Sequence, residues 1–507
     1  MASMTNSNFE PLGKVRTKIV ATLGPASRDP AMLRKLVEAG VDVFRLNFSH
    51  ASHDEHTATL QAIRKIGEET GRQLAVLQDL CGPKIRLGDI PGDVVECDFG
   101  AEFRLATERK AGDDPHLLTC TYRTLTDDLE IGQNVLFADG TVAMDVIERG
   151  PGWARLKVTL PGRIRSHQGI NVPSATLSVA ALTDKDLVDL DWTAQHAVEY
   201  VGLSFVRQVE DITRLRQELD RRKIRARIVA KIEKPQAVAN LEAIVVEADA
   251  VMVARGDLGV EMDVAKVPAV QKHIIAACHK ARIPVITATQ MLNSMETSSR
   301  PTRAEASDVF NAVLDGTDAV MLSGETAIGQ FPVEAVAIMS QIAREAENLI
   351  FSELHAGAPW TWSVDNWPGA NGHGHQATPR VARAGQVLPV TDAVVEAASA
   401  VCRRLNAALL VVATHSGRTA LASSKQRNAT PTLALTDDLE AARAMGLYWG
   451  VTALHIPELF ETGQVLAWAD EWCRANDLID SGDRVVIVRG VIPNNPNHNA
   501  LLVHEVE

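Results

Sequence analysis

Short apolar runs recur along the first two-thirds of the chain, and one stretch of helical periodicity lies between most of them. The runs are TKIVATLG (17–24), VDVFRLNFS (41–49), LAVLQDL (74–80), VEYVGLSFV (198–206), RIVAKIE (227–233), AVMVARGD (250–257), PVITATQM (284–291) and AVMLSGET (319–326). Their apolar positions are continuous rather than alternating, the pattern of strands covered on both faces. Segments such as 29–40 and 267–281 supply the helices between them. Eight such units predict an α/β fold built as a (β/α)8 TIM barrel.

The spacing is uneven in one place. More than a hundred residues separate the third and fourth runs, and from 84 to 170 they alternate in short pieces such as NVLFADGTVAMDVI, broken by Gly and Pro. That pattern predicts a small β domain inserted on the loop face of the barrel, hinged near Gly82-Pro83 and Pro173 and suited to act as a lid. The barrel then takes 1–83 and 171–350. A segment rich in Pro, Gly, Trp and His follows at 351–384 and reads as a linker; His373 and His375 within it have too few companions for a metal site. From 385 to 507 a second α/β domain is expected, with a helix over 392–406 and strands at ALLVVATHS and RVVIVRGV.

Composition narrows the partners. The chain has 507 residues, 46% of them hydrophobic, only 4% aromatic, and a net charge of −13. Phosphate backbones and anionic membranes attract basic patches, so neither nucleic acid nor a membrane surface is an expected partner. The six cysteines form no CxxC pair, the first residues lack a targeting pattern, and no run of about 18 apolar residues appears. A reducing, cytoplasmic compartment is the expectation.

In this fold chemistry sits at the carboxyl ends of the strands. Those ends carry Thr22, Arg45, Asn47, Asp79, Ser204, Lys231, Glu233, Arg255, Asp257, Thr289, Ser323 and Glu325, polar residues following apolar ones. Lys231 and Glu233, two apart, share a strand face. With Asp257 on the next strand they form a set suited to a divalent metal and an anionic substrate.

RLNFSH (45–50), VLQDLCGPKIRLG (76–88), GINVP (169–173), AKIEKPQA (230–237), MVARGDLGVEM (252–262), ATQMLNSM (288–295), the PTRAE to LSGETA stretch within 300–332, and THSGRTA (414–420) together resemble pyruvate kinase, in order and over nearly the whole chain. The resemblance implies Mg2+-dependent phosphoryl transfer from phosphoenolpyruvate to ADP. It implies Glu233 and Asp257 as ligands of Mg2+ or Mn2+, with a second metal arriving with the nucleotide. Lys231 would sit on the transferring phosphoryl group and Arg45 on the phosphate. Thr289 would lie on the face where enolpyruvate is protonated, and the backbone at Gly256 and Asp257 would meet the substrate carboxylate. Glu325, Ser323 and Arg303 are expected behind these contacts. Thr22, Pro25, Asn47, His50 and Arg86 would line the nucleotide phosphates, although Gln168 replaces the usual basic residue before G-[IV]-N.

A further departure concerns monovalent cations. Family members that need K+ carry D-T-K-G-P-E after the third strand, where this chain has Asp79-Leu80-Cys81-Gly82-Pro83-Lys84. Leu80 offers K+ no side-chain oxygen, and Lys84 reverses a charge, as in the potassium-independent branch; Cys81 stands where that branch often has Gln. The resemblance thus implies that K+ is not required, with Lys84 as the internal substitute. Thr414, Ser416, Gly417, Arg418 and Thr419 resemble the loop that grips a phosphorylated allosteric effector. Val491 and Ile492 replace the Trp and Arg of fructose-bisphosphate-activated members, which leaves a monophosphorylated sugar or a nucleotide open. A homotetramer is implied as well. Two other readings stay open: another metal-dependent phosphoenolpyruvate or pyruvate barrel enzyme, or a catalytically silent sensor of phosphorylated metabolites. The second predicts damage at Lys231, Glu233, Asp257 or Thr289, and all four are intact.

Overall fold

The computed structural model describes residues 15–107, 114–173, 179–355, 389–457, 465–490 and 499–507. Eight parallel strands close into a barrel: β1 Lys18–Thr22, β2 Val43–Asn47, β3 Ala75–Asp79, β4 Tyr200–Leu203, β5 Arg227–Ile232, β6 Ala250–Ala254, β7 Val285–Ala288 and β8 Ala319–Leu322. All eight fall inside the predicted runs, but several stop early. β6 ends at Ala254 because Arg255–Glu261 already turns as a helix, and β7 ends where Thr289 and Gln290 adopt φ of +66° and +53°. The polar residues thought to extend these strands instead form the turns that follow them.

Alternate residues divide the barrel core. Val20, Val43, Leu77, Tyr200, Val229, Met252, Ile286 and Met321 belong to the cluster at its centre. Their strand neighbours, such as Ile19, Phe44, Val76, Ile228 and Val251, pack in the layer under the surrounding helices. Burial on both faces explains the unbroken apolar runs.

Between β3 and β4 stands the inserted domain. It has a six-stranded sheet, a two-stranded ribbon pairing Gly162–Arg165 with Val94–Cys97, and a core of its own around Phe103, Phe137, Val142 and Leu156. The last barrel helix, Pro332–His355, takes in the first five residues of the stretch read as linker. The rest of that stretch, with His373 and His375, lies outside the described residues, as do 385–388 of the next domain and Val491 and Ile492.

The C-terminal domain has five strands: β9 Leu409–Ala413, β10 Thr432–Thr436, β11 Val451–His455, β12 Arg484–Gly490 and β13 Asn499–Glu505. They are ordered β11-β10-β9-β12-β13, with only β13 antiparallel. It closes the amino end of the barrel: Tyr200 inside β4 donates its hydroxyl to the Ala444 carbonyl at 2.6 Å, and Ala444, Met445 and Leu447 join the central cluster. The opposite, carboxyl end of the barrel is left for the lid.

Candidate active site

The period of two along a strand decides which side chains enter the barrel mouth. Two residues beyond the central Val20, Val43, Leu77 and Val229 come Thr22, Arg45, Asp79 and Lys231, on the same faces. These four meet. Arg45 donates from Nε to Asp79 Oδ2 at 2.7 Å and from Nη1 to Thr22 Oγ1 at 3.0 Å. Lys231 Nζ lies 2.8 Å from Glu233 Oε1 and 3.2 Å from Asp79 Oδ1, and donates to Ser204 Oγ at 2.7 Å. Ser204 passes the chain on by donating to the Leu80 carbonyl at 2.8 Å. Lys231, Glu233, Asp79 and Ser204 are all buried.

Burial is the largest influence on Lys231 and opposes its charge. Asp79 and Glu233 outweigh it and hold the ammonium well above its ordinary range. Asp79 shows the complement: burial pushes it up, yet Lys231 and Arg45 bring it below the usual carboxylate range. Glu233 stays raised, by burial first, with Lys231 pulling down and the charge of Asp257 pushing up. Its second oxygen accepts the Phe205 amide at 2.8 Å, and Phe205 reaches it in the left-handed region, φ +56°.

Asp257 stands in the first turn of the helix Arg255–Glu261, close enough to Glu233 for their charges to repel. Two hard carboxylate oxygens drawn together in this way, one of them raised by the other's charge, fit a divalent cation completed by substrate oxygens and water. Among the described residues no group of three or more His, Cys, Asp or Glu side chains forms a closed metal site.

Thr289 sits beside this set rather than within it. Its hydroxyl accepts the Gly256 amide at 2.7 Å, so the amide expected to face a substrate carboxylate is here turned to Thr289. Two consecutive non-glycine residues at positive φ, one of them β-branched, store roughly 1–3 kcal/mol each. Glu325 is buried and accepts the Leu292 and Ser323 amides at 3.0 and 2.7 Å, whereas Arg303 stands exposed at the start of the helix Arg303–Leu314.

On the lid side, His50 is held below its ordinary range by burial and then by the positive charges of Lys84, Arg86 and Arg45. Those residues therefore gather around one point. Arg86 bridges to Gly169 across the hinge and donates to the His167 carbonyl at 3.1 Å. Gln168, next in the chain, accepts the Arg165 amide on its side chain at 2.7 Å. Asn47 caps the turn after β2 by accepting the Ser49 amide, and Pro25 is exposed in the turn after β1. Lys84 is exposed and Leu80 is buried.

The loop at 414–419 lies against the amino end of the barrel, opposite the mouth. The Gly417 amide donates to Thr414 Oγ1 at 3.1 Å with φ +81°, Arg418 Nε donates to Ser416 Oγ at 2.9 Å, and Thr419 belongs to the helix Arg418–Lys425. Arg227, the first residue of β5, donates to the Ser416 carbonyl at 3.3 Å. The strand that carries Lys231 near its carboxyl end therefore touches this loop through its first residue.

Sequence reading placed Asp79, Ser204 and Arg255 among the strand ends without a part for their side chains, and missed the Phe205 amide. The face shared by Leu77 and Asp79 was a usable signal for the first. Nothing local announces that Phe205 turns left-handed towards Glu233.

Comparison with known proteins agrees with this architecture. The family model for the pyruvate kinase barrel domain matches residues 14–336, and that for the pyruvate kinase alpha/beta domain matches 392–504. Pyruvate kinase 2 of Synechocystis is 40% identical over 496 residues, covering 97% of this chain and 79% of its own. The pyruvate kinase of Corynebacterium glutamicum is 38% identical over 490 residues, covering 96% and 97%. A crystal structure of a pyruvate kinase from Cryptosporidium parvum superposes with a TM-score of 0.86 at 32% identity, covering 98% of both chains. With both domain models matched in order and relatives of this similarity aligned over 96–97% of the chain, the chain belongs to the pyruvate kinase family.

Proposed function

We propose that the barrel mouth transfers the phosphoryl group of phosphoenolpyruvate to ADP through Lys231, Arg45, Glu233, Asp257 and Thr289, without a requirement for K+. The observation that carries this reading is the Lys231 ammonium, kept charged in a buried site by Asp79, Glu233 and Ser204. A terminal oxygen of ADP attacks phosphorus, the bond to the enol oxygen breaks, and negative charge collects on that oxygen. A fixed cation at this point stabilises the transition state more than the ground state. Arg45, already oriented by Asp79 and Thr22, presents its planar fork to the phosphate.

Glu233 and Asp257 would hold Mg2+ or Mn2+, which when bound would supply positive charge to the anionic oxygens of the substrate. The enolate left behind takes a proton at its methylene carbon, and Thr289 relays it through water. Thr22, Pro25, Asn47, His50 and Arg86 line the path of the nucleotide phosphates, where the crowded positive charge around His50 suits an anion. Assembly as a homotetramer, a cytoplasmic setting and a phosphorylated effector at Thr414, Ser416, Gly417, Arg418 and Thr419 are carried over from the resemblance. The contact from Arg227 to Ser416 gives that loop a route to β5.

K+ independence rests on two residues. Leu80 is buried and has no side-chain oxygen, and Lys84 is among the positive charges that act on His50. Assay of ATP formation in tetramethylammonium buffer tests both parts of the reading. Activity should require Mg2+ and change little when K+ is added; a rise of more than about tenfold on adding K+ would remove Lys84 from its assigned part, given that a tenfold rate change is about 1.4 kcal/mol.

A further inference from the structure

Thr289 is strained, and something must hold it there. Its φ of +66° and that of Gln290, +53°, place two successive side-chain-bearing residues in the left-handed region, which a β-branched residue almost never enters. Such geometry persists only where its surroundings over-determine it. One side chain grips both carbonyls of the turn. Arg255 Nη2 donates to the Thr289 carbonyl at 2.8 Å and to the Gln290 carbonyl at 3.2 Å, and its Nε reaches the Thr289 carbonyl again at 3.3 Å.

The other arm of the same guanidinium is anchored. Nη1 donates to Asp308 Oδ1 at 2.8 Å, lies 2.7 Å from Oδ2, and reaches Gln271 Oε1 at 3.3 Å. Arg255 is buried, at 9% exposed, whereas the Asp308 carboxylate that anchors it is 40% exposed. The next residue, Gly256, donates its amide to Thr289 Oγ1 at 2.7 Å, and that hydroxyl donates to the Ala288 carbonyl at 2.6 Å. The backbone of Thr289 is therefore gripped by the side chain of Arg255, and its hydroxyl by the following amide. Asp257, a proposed metal ligand, comes one residue later.

We propose that Arg255 is a positioning residue for protonation: it holds the Thr289–Gln290 turn by its carbonyls so that the Thr289 hydroxyl faces the enolate carbon. This rests on the part assigned to Thr289 above. Only a planar fork can grip two successive carbonyls and a carboxylate at once; a lysine in its place offers one compact charge. Phosphoryl transfer makes no such demand on Thr289, so the two halves of the reaction should separate when the clamp is loosened.

The test uses the full chain as Arg255→Lys, Asp308→Asn and Thr289→Ala. One rate is ATP formation from phosphoenolpyruvate and ADP. The other is exchange of pyruvate methyl hydrogens in D2O, followed by 1H NMR with Mg2+ and inorganic phosphate standing for the transferred group. The ratio of exchange to ATP formation should fall at least about tenfold in Arg255→Lys and in Thr289→Ala, and less in Asp308→Asn. A crystal structure of Arg255→Lys should show Thr289 out of the left-handed region.

A ratio within about twofold of the parent in both Arg255→Lys and Asp308→Asn, or two rates that fall together with the melting temperature, overturns the proposal. Should Arg255→Lys not fold, Asp308→Asn alone carries the same criterion, since it keeps the guanidinium and removes only its anchor. Failure of the underlying reading looks different. The parent chain would then form no ATP, or Thr289→Ala would leave the ratio unchanged, and either result overturns the part given to Arg255 as well.

Discussion

At the scale of single residues, the site is a problem in keeping charges buried together. Asp79 is the residue on which Arg45 and Lys231 both depend, and its alternation with Leu77 on β3 is what aims it inward. Arg45→Lys retains the charge but loses the fork that spans Asp79 and Thr22. A charge-assisted hydrogen bond is worth about 1.5–3 kcal/mol, so the KM for phosphoenolpyruvate should rise roughly ten- to a hundredfold in steady-state kinetics, with a smaller effect on ADP. Lys231, Glu233 and Asp257 were legible in the sequence because they end apolar runs. Arg255 was placed among the strand ends, but its grip was not legible, because its partners Thr289, Gln290 and Asp308 lie 34 to 53 residues away and meet it only once the barrel closes.

At the scale of elements, the eight barrel strands could be read because burial on both faces leaves continuous apolar runs. Strands β10, β11 and β13 of the C-terminal domain were not predicted. In TLALT at 432–436 a threonine at each end leaves an apolar run of only three, and β11 and β13 lie at the sheet edges, where half-buried side chains blur the pattern. The hinge into the lid was expected near Gly82, and the structure gives the physical reason for a glycine. Its φ is +64°, and a Cβ there would come 2.9 Å from the Phe205 ring and 3.0 Å from Ser204 Cβ. Gly82→Ala should cost at least about 1–2 kcal/mol from the left-handed backbone alone. It should also push on Ser204, the hydroxyl partner of Lys231, so the melting temperature and kcat should both fall. Unchanged kcat in a folded variant would separate the hinge from the site.

At the scale of the whole molecule, the C-terminal domain is fastened to the amino end of the barrel by buried charge. Asp318 lies 2.5 Å from Lys425 Nζ and 3.0 Å from Arg427 Nη2, and His279 Nε2 lies 2.7 Å from the Gly316 carbonyl beside them. Burial, then the charges of Arg427 and Lys425, brings His279 down to about 3. Its folded pKa is below the ordinary 6.5, so the stability it contributes is present above that pH and is lost as pH falls from 6.5 toward 3. Asp318 is also lowered, since Lys425 and Arg427 outweigh its burial, and its contribution is lost only below the ordinary carboxylate range. The melting temperature should therefore decline between pH 6.5 and 4, by the equivalent of up to roughly 3 kcal/mol, and His279→Gln should flatten that decline. Equal slopes in the two proteins would place the acid sensitivity elsewhere. β5 runs from Arg227, whose side chain reaches the loop at 414–419, to Lys231 near the mouth. Everything in this account converges on that ammonium. The most direct measurement is the rate of ATP formation from phosphoenolpyruvate and ADP by Lys231→Met, with folding checked by its circular dichroism. Loss of at least about a hundredfold in kcat is the expected result, as for removal of a single preorganised charge; a folded variant that keeps parental kcat would contradict the account.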